Sequence, residues 1–124
     1  MDTRTKILTP GEAPCDAAQP LVVVTGYFDV LRAEHARELA NIRQASGAKT
    51  LAALVLPLTG ELMPIAARAR MAAALRMVDY VITAENGEVD RLIAACSAAA
   101  VVRFESTDAR LRTQLIEHAQ RRQK

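Results

Sequence analysis

Aromatic residues are scarce in this sequence. Tyrosine and phenylalanine occur twice each, tryptophan is absent, and the three types together make up 3% of 124 residues. Hydrophobic residues nevertheless account for 51% of the chain, so a core must be built mainly from alanine, valine, leucine, isoleucine and methionine. The scarcity also argues against a binder of single-stranded nucleic acid, because such proteins stack bases on aromatic side chains.

Cysteine, net charge and long apolar runs are equally limited. Cys15 and Cys96 stand in no CxxC or CxxH spacing, which argues against a zinc site and against a disulfide framework. A formal net charge of +2 gives no strong field for polyanions, so nucleic acid is not an expected partner. No apolar run approaches the roughly 18 residues of a membrane span. We therefore expect a cytoplasmic protein that does not contact the membrane.

The chain divides into a lead-in and one domain. Residues 10–20 contain three prolines and a glycine, which disfavour regular structure. We expect residues 1–20 to be an irregular lead-in and residues 21–124 to form a single domain, since this length supports one core.

Apolar runs alternate with helical stretches along that domain. The runs lie at 21–25, 51–56, 79–83 and 99–104, and the helical stretches at 33–46, 64–77, 87–97 and 107–122. Continuous apolar runs are typical of strands buried on both faces of a parallel sheet. The alternation predicts an α/β fold: a doubly wound parallel sheet with helices on both faces, strand order about 2-1-3-4 and the first run central.

The start of the first helix is the expected ligand site. Ligands of such sheets bind beyond the carboxyl ends of the strands, at the point where the strand order reverses. Free backbone N–H groups and the positive end of the helix dipole favour phosphate there. Helical spacing places His35 on the sheet-facing stripe of the helix with Leu31, Leu39 and Ile42.

The stretch "GYFDVLRAEH" at 26–35 resembles the G-x-F-D-x-x-H-x-G-H signature of the cytidylyltransferase-like nucleotidyltransferases. Four positions match, namely Gly26, Phe28, Asp29 and His35. Two further stretches are similar to this family, "KILT" at 6–9 and "ARARMAAALRMVDYVIT" at 67–83, which includes Arg68 and Asp79. Within the family the heptose-1-phosphate adenylyltransferase domain is the most similar branch, and the resemblance covers about residues 6–104.

The resemblance implies a Rossmann-like nucleotidyltransferase fold and a definite reaction. A small phosphorylated acceptor, such as a sugar phosphate, attacks the α-phosphate of ATP or CTP, and pyrophosphate leaves with help from Mg²⁺. It also implies a homodimer, and it implies no metal ligands from the protein. The catalytic residues would be Arg32 and His35, and the residues contacting nucleotide or phosphate would be Thr25, Gly26, Tyr27, Phe28, Asp29, Ser106 and Thr107.

Several departures from the family pattern predict weak or absent activity. Arg32 and Glu34 stand where the first histidine and the glycine of the signature belong, and the Glu34 carboxylate would repel a triphosphate. The segment 57–64 is short and has no basic residue, and "RFES" at 103–106 replaces a glycine-rich turn. The alternative function is a noncatalytic dimer that binds a nucleotide or another protein.

Structural roles remain open for three residues of this region. His35 could contact a nucleotide or be a hydrogen-bonded histidine at a helix start. Asp29 could orient a ligand or accept backbone N–H groups of a turn. Arg68 could reach the crevice or pair with an acidic neighbour, and the structural role is favoured.

Overall fold

The computed structural model describes residues 3–8, 20–29, 31, 33–58, 63–84, 89–95 and 100–104, with residues 110, 113, 114, 116, 117 and 119–121. A 3-10 turn at Thr3–Lys6 precedes the first strand. The strands are β1 (Ile7–Leu8), β2 (Leu21–Gly26), β3 (Thr50–Val55), β4 (Tyr80–Thr83) and β5 (Ala100–Arg103). The helices are α1 (Ala33–Ser46), α2 (Ile65–Ala73) and α3 (Val89–Ala95). The described residues between 110 and 121 are helical.

The five strands form one parallel sheet in the order β1-β4-β3-β2-β5. The predicted doubly wound α/β architecture is therefore confirmed. Strand β2 lies in the interior of the sheet, between β3 and β5, and its six residues are all buried. The buried run without polar alternation is what a parallel strand covered on both faces requires.

The predicted strand order 2-1-3-4 was wrong. Counted over the four predicted strands, the observed order is 3-2-1-4. The chain advances from β2 to β3 to β4 in one direction and then crosses back to place β5 on the other side of β2. The two orders agree that β2 is interior but differ at β3, which the predicted order places at an edge and the structure places between β2 and β4. The side of β2 on which each crossover returns depends on tertiary packing, which the apolar runs alone do not specify.

The lead-in also differs from the expectation, because its residues 7 and 8 form the edge strand β1. Ile7 pairs with Val81 and Leu8 with Ile82. The Nζ atom of Lys6 donates to two carbonyl oxygens just before β4, those of Leu75 (3.3 Å) and Val78 (2.8 Å). These bonds attach the beginning of the chain to the sheet, whereas residues 9–19 lie outside the described part.

Helices cover both faces of the sheet, as predicted. Helices α1 and α2 pack on one face, where Leu39 of α1 and Ala72 of α2 lie in a core with Val24 and Val55 of the strands. On the opposite face Ile93 of α3 packs against a second core made by the alternate strand residues. Among the described helices, none has the length and apolar character needed to cross a lipid bilayer.

Helix α1 spans the predicted residues and ends at a glycine turn. Gly47 has φ +67, a left-handed conformation that glycine adopts without a Cβ penalty. Its N–H donates to the carbonyl of Gln44, and the N–H of Ala48 donates to that of Arg43. This bonding pattern satisfies carbonyl groups that the helix leaves unpaired, so the chain leaves α1 in a fixed direction toward β3.

Candidate functional site

The point where the strand order reverses lies at the carboxyl end of β2. Backbone pairing continues to the end of this strand on both sides. The carbonyl of Thr25 accepts from the N–H of Phe104 (2.8 Å), and the carbonyl of Gly26 accepts from that of Leu56 (2.9 Å). Because β3 and β5 flank β2 and belong to crossovers that run in opposite directions, the ends of β2 and β5 border the expected ligand crevice.

The turn after β2 contains a strained residue. Phe28 has φ +52, in the left-handed region that a bulky side chain rarely adopts, and such a conformation costs about 1–3 kcal/mol. Its side chain is fully buried in the core beneath α1 and α2, whereas Tyr27 packs against the core of the opposite face. The turn therefore sends two consecutive aromatic side chains to opposite faces of the sheet.

Asp29 binds the protein's own backbone. Its carboxyl group is fully buried, and Oδ1 accepts a hydrogen bond from the N–H of Met63 at 2.9 Å. Met63 precedes α2, so this bond joins the turn after β2 to the start of α2. The structural role that the sequence left open for Asp29 is therefore present in the structure.

Arg68 is also fully buried and completes the same network. Its Nε donates to the carbonyl of Met63 (3.1 Å), and its Nη1 donates to the carbonyls of Tyr27 (2.9 Å) and Leu56 (2.8 Å). The backbone N–H of Met63 thus donates to the buried carboxylate of Asp29, and the backbone carbonyl of Met63 accepts from the buried guanidinium of Arg68. A forked guanidinium suits this task because its donors point in several fixed directions. Arg68 therefore fixes the spacing of three segments around the crevice.

His35 occupies the predicted position in the first turn of α1, but it is not open to solvent. Its exposed fraction is 0%, and its ring meets the ring of Phe104 edge-on with centroids 6.0 Å apart at 69°. Phe104 also stacks with Phe28 at a centroid distance of 6.4 Å and an interplanar angle of 22°. These separations are those of favourable aromatic pairs. The three rings form a cluster at the carboxyl ends of β2 and β5.

Polar atoms inside the protein are satisfied by protein partners. Across the described residues, no buried side-chain nitrogen or oxygen atom lacks a hydrogen-bond partner. His35, Asp29 and Arg68 are all fully buried, so their polar atoms are engaged in the structure as it stands. A ligand that used any of them would have to displace an existing contact.

The structure brings together most, though not all, of the predicted site residues. Five of them line the carboxyl end of β2 and its turn, namely Thr25, Gly26, Tyr27, Phe28 and Asp29, and His35 lies next to them on α1. The carboxylate of Glu34 lies 3.7 Å from Nη2 of Arg37, and its side chain is 39% exposed. Arg32, Ser106 and Thr107 lie outside the described residues.

The described residues do not form a cage for a metal ion. Within the described ranges, no three histidine, cysteine, aspartate or glutamate side chains gather closely enough to hold one. Asp29, the carboxylate next to the turn, already accepts a backbone N–H.

A solved structure shares this fold. The chain is similar to the lipopolysaccharide core biosynthesis protein from Thermoplasma volcanium GSS1, with a TM-score of 0.60 and 18% sequence identity. The similarity covers 65% of this chain and 70% of the other. At this identity the likeness shows a common fold. No family model matches the chain, and a search of curated proteins also finds no match.

Sequence reasoning did not predict the contacts of two residues that organise the site. Arg68 was favoured as a structural residue, but its three carbonyl partners come from segments that only folding brings together. Phe104 was predicted as the last residue of the apolar run 99–104 and as part of the "RFES" stretch that replaces a glycine-rich turn. Its position where small residues are expected was the available signal, because a large ring there must fill space next to the crevice.

Proposed function

We propose that this chain is a nucleotidyltransferase-like protein that binds a nucleotide or sugar phosphate weakly and has little or no transferase activity. The observation that carries the proposal is the burial of His35. This residue lies at the switch point of a doubly wound sheet, but it is fully buried against Phe104. A residue that assists phosphoryl chemistry must reach the reacting phosphate, and His35 in this arrangement reaches only protein.

The charges near the start of α1 also favour weak or absent transferase activity. Nucleotidyl transfer builds negative charge on the phosphates, and enzymes stabilise that charge with preorganised cations and N–H donors. The Glu34 carboxylate stands in the first turn of α1, and segment 57–64 contains no lysine or arginine. Segment 57–64 therefore contributes no positive charge at this edge of the sheet, and the first turn of α1 contributes a negative one, which disfavours a triphosphate.

The start of α1 supports weak binding of an anionic ligand. Helix α1 is 14 residues long and begins at the switch point, where its dipole favours an anion. The similar solved structure is known as a lipopolysaccharide core biosynthesis protein, which fits a phosphorylated sugar as the class of acceptor. The proposed ligand is ATP or CTP, with Mg²⁺ carried on its phosphates, or a sugar phosphate.

Calorimetric titration with ATP, CTP and GTP in the presence of Mg²⁺ tests the proposal, together with titration by a hexose or heptose phosphate. We expect saturable binding in the upper micromolar range or weaker, and no pyrophosphate release when nucleotide and sugar phosphate are supplied together. Steady release of pyrophosphate would show an active transferase. Absence of binding by every ligand would leave the noncatalytic interaction protein as the better explanation.

One observation favours that second candidate, a protein-interaction dimer. Val101 of β5 is 39% exposed, although it sits on the face of the sheet that holds Val23 on the neighbouring strand. In the described part of the chain β5 pairs only with β2. An edge strand presents backbone N–H and C=O groups that a second chain can pair with, so the edge of β5 that faces away from β2 is where the proposed dimer would form.

A further inference from the structure

We propose that Phe104 is the residue that decides whether a ligand reaches His35, because its ring closes the crevice at the end of β2. This inference deepens the proposed function and rests on the crevice being the ligand site. It assigns to the protein's own side chain the space that the flat ring of a nucleotide base would occupy.

The ring is held in place from two directions. The N–H of Phe104 donates to the carbonyl of Thr25 (2.8 Å), which fixes the backbone immediately after β5. The ring itself stacks on Phe28 and meets the edge of His35, and Phe104 is only 3% exposed. Because its backbone and its ring are both held, the Phe104 side chain stays in contact with the imidazole rather than turning into solvent.

The place of Phe104 in the fold explains why this contact matters for binding. Residues just after a parallel strand lie at the carboxyl edge, where ligands of doubly wound sheets bind. The Phe104 ring contacts His35 at the carboxyl edge, and a purine or pyrimidine base could occupy the same space, since every base offers a π-face. Ring and base therefore compete for one position, and removal of the ring should make His35 accessible.

Chemical modification of His35 tests the inference directly. Diethyl pyrocarbonate carbethoxylates accessible imidazoles, and peptide mass spectrometry separates His35 from His118, the other histidine of the chain. We expect His35 to react slowly in the parent protein and about tenfold faster in Phe104→Ala. Val101→Ala is the control, because Val101 lies on β5, just before Phe104, but on the face of the sheet opposite to α1, so the rate for His35 should be unchanged.

A second measurement separates opening of the crevice from general unfolding. Hydrogen exchange at the amide of Leu54, in the buried strand β3, reports on the core. If Phe104→Ala accelerates modification of His35 while Leu54 stays protected, the ring is a cover. If both change together, or if neither does, the inference is wrong. Where Phe104→Ala does not fold, Phe104→Leu replaces it: a folded Phe104→Leu protein with unchanged His35 reactivity also overturns the inference.

Nucleotide titration completes the experiment and keeps this inference distinct from the proposed function. In Phe104→Ala, MgATP or MgCTP should bind at least about tenfold more tightly than in the parent and should slow modification of His35. If His35 becomes reactive but no nucleotide binds, Phe104 is still the cover and the proposed ligand class is wrong. If the parent binds nucleotide and Phe104→Ala binds it no better, Phe104 does not control access.

Discussion

Replacement of Arg68 with methionine should destabilise the protein strongly. The substitution keeps an unbranched apolar stem but removes the guanidinium that donates to the carbonyls of Tyr27, Leu56 and Met63. Arg68 is fully buried, so water cannot easily replace the lost donors. The three carbonyls belong to the turn after β2, the end of β3 and the segment before α2, and all three segments should loosen together.

The magnitude follows from two opposing terms. A hydrogen bond from a charged group contributes about 1.5–3 kcal/mol, and three such bonds made by one side chain are not additive. Removal of a buried charge also releases its desolvation cost, but each buried carbonyl left without a donor costs about 1–3 kcal/mol. For three such carbonyls, with the released desolvation cost subtracted, we expect a net loss of about 3–5 kcal/mol, a large share of the roughly 5–15 kcal/mol that stabilises a domain.

Urea denaturation followed by circular dichroism measures this loss. With a slope of about 1–3 kcal/mol per molar urea, the midpoint should fall by about 2 M. Arg70→Met is the matched control, because Arg70 is an exposed arginine on the same helix and its replacement should change stability by less than about 0.5 kcal/mol. Arg68→Lys should also be destabilised, because an ammonium lacks the fork that reaches three carbonyls. Equal midpoints for Arg68→Met and Arg70→Met would refute the reasoning.

Two further predictions concern the charge at α1 and the state of association. Glu34→Gly should strengthen binding of MgATP or MgCTP by about threefold to tenfold, a modest gain because the carboxylate is part-exposed and lies near Arg37. Adding Arg32→His should not restore turnover. His35→Ala should leave the gain unchanged while Phe104 covers the imidazole and should reduce it once Phe104→Ala is added; unchanged titrations across the whole series would identify His35 as purely structural. The second prediction is that the protein forms a dimer. Sedimentation at high micromolar concentration should show this dimer, and Val101→Asp should weaken it. A species near 13.4 kDa would contradict the prediction.

Local sequence patterns were sufficient for most of the secondary structure. The apolar run at 21–25 identified β2, and the helix at 33–46 was bounded correctly because Gly47 supplies a left-handed turn that few other residues tolerate. These features depend on neighbours within a few residues, which is why they can be read in the sequence. Strand β1 was missed because two residues carry no periodicity and are held by pairing with β4 and by Lys6.

The candidate site also has features that the local sequence predicts and features that depend on distant residues. The motif at 26–35 located the turn after β2 and placed His35 at the start of α1, because both lie in one continuous stretch of chain. The burial of His35 against Phe104 depends on a residue that lies 69 positions further along the chain, after the strand that pairs with β2. The role of Arg68 likewise depended on which carbonyl groups surround it.

By itself the sequence determined an α/β protein with a parallel sheet, helices on both faces and a turn and helix start at the expected ligand edge. Apolar periodicity and turn residues encode these features locally. Tertiary structure alone decided the strand order, the edge position of β1, the burial of His35 and the three carbonyl partners of Arg68. Each of these depends on contacts between residues distant in the chain, and several arrangements of the same elements satisfy the local pattern equally well.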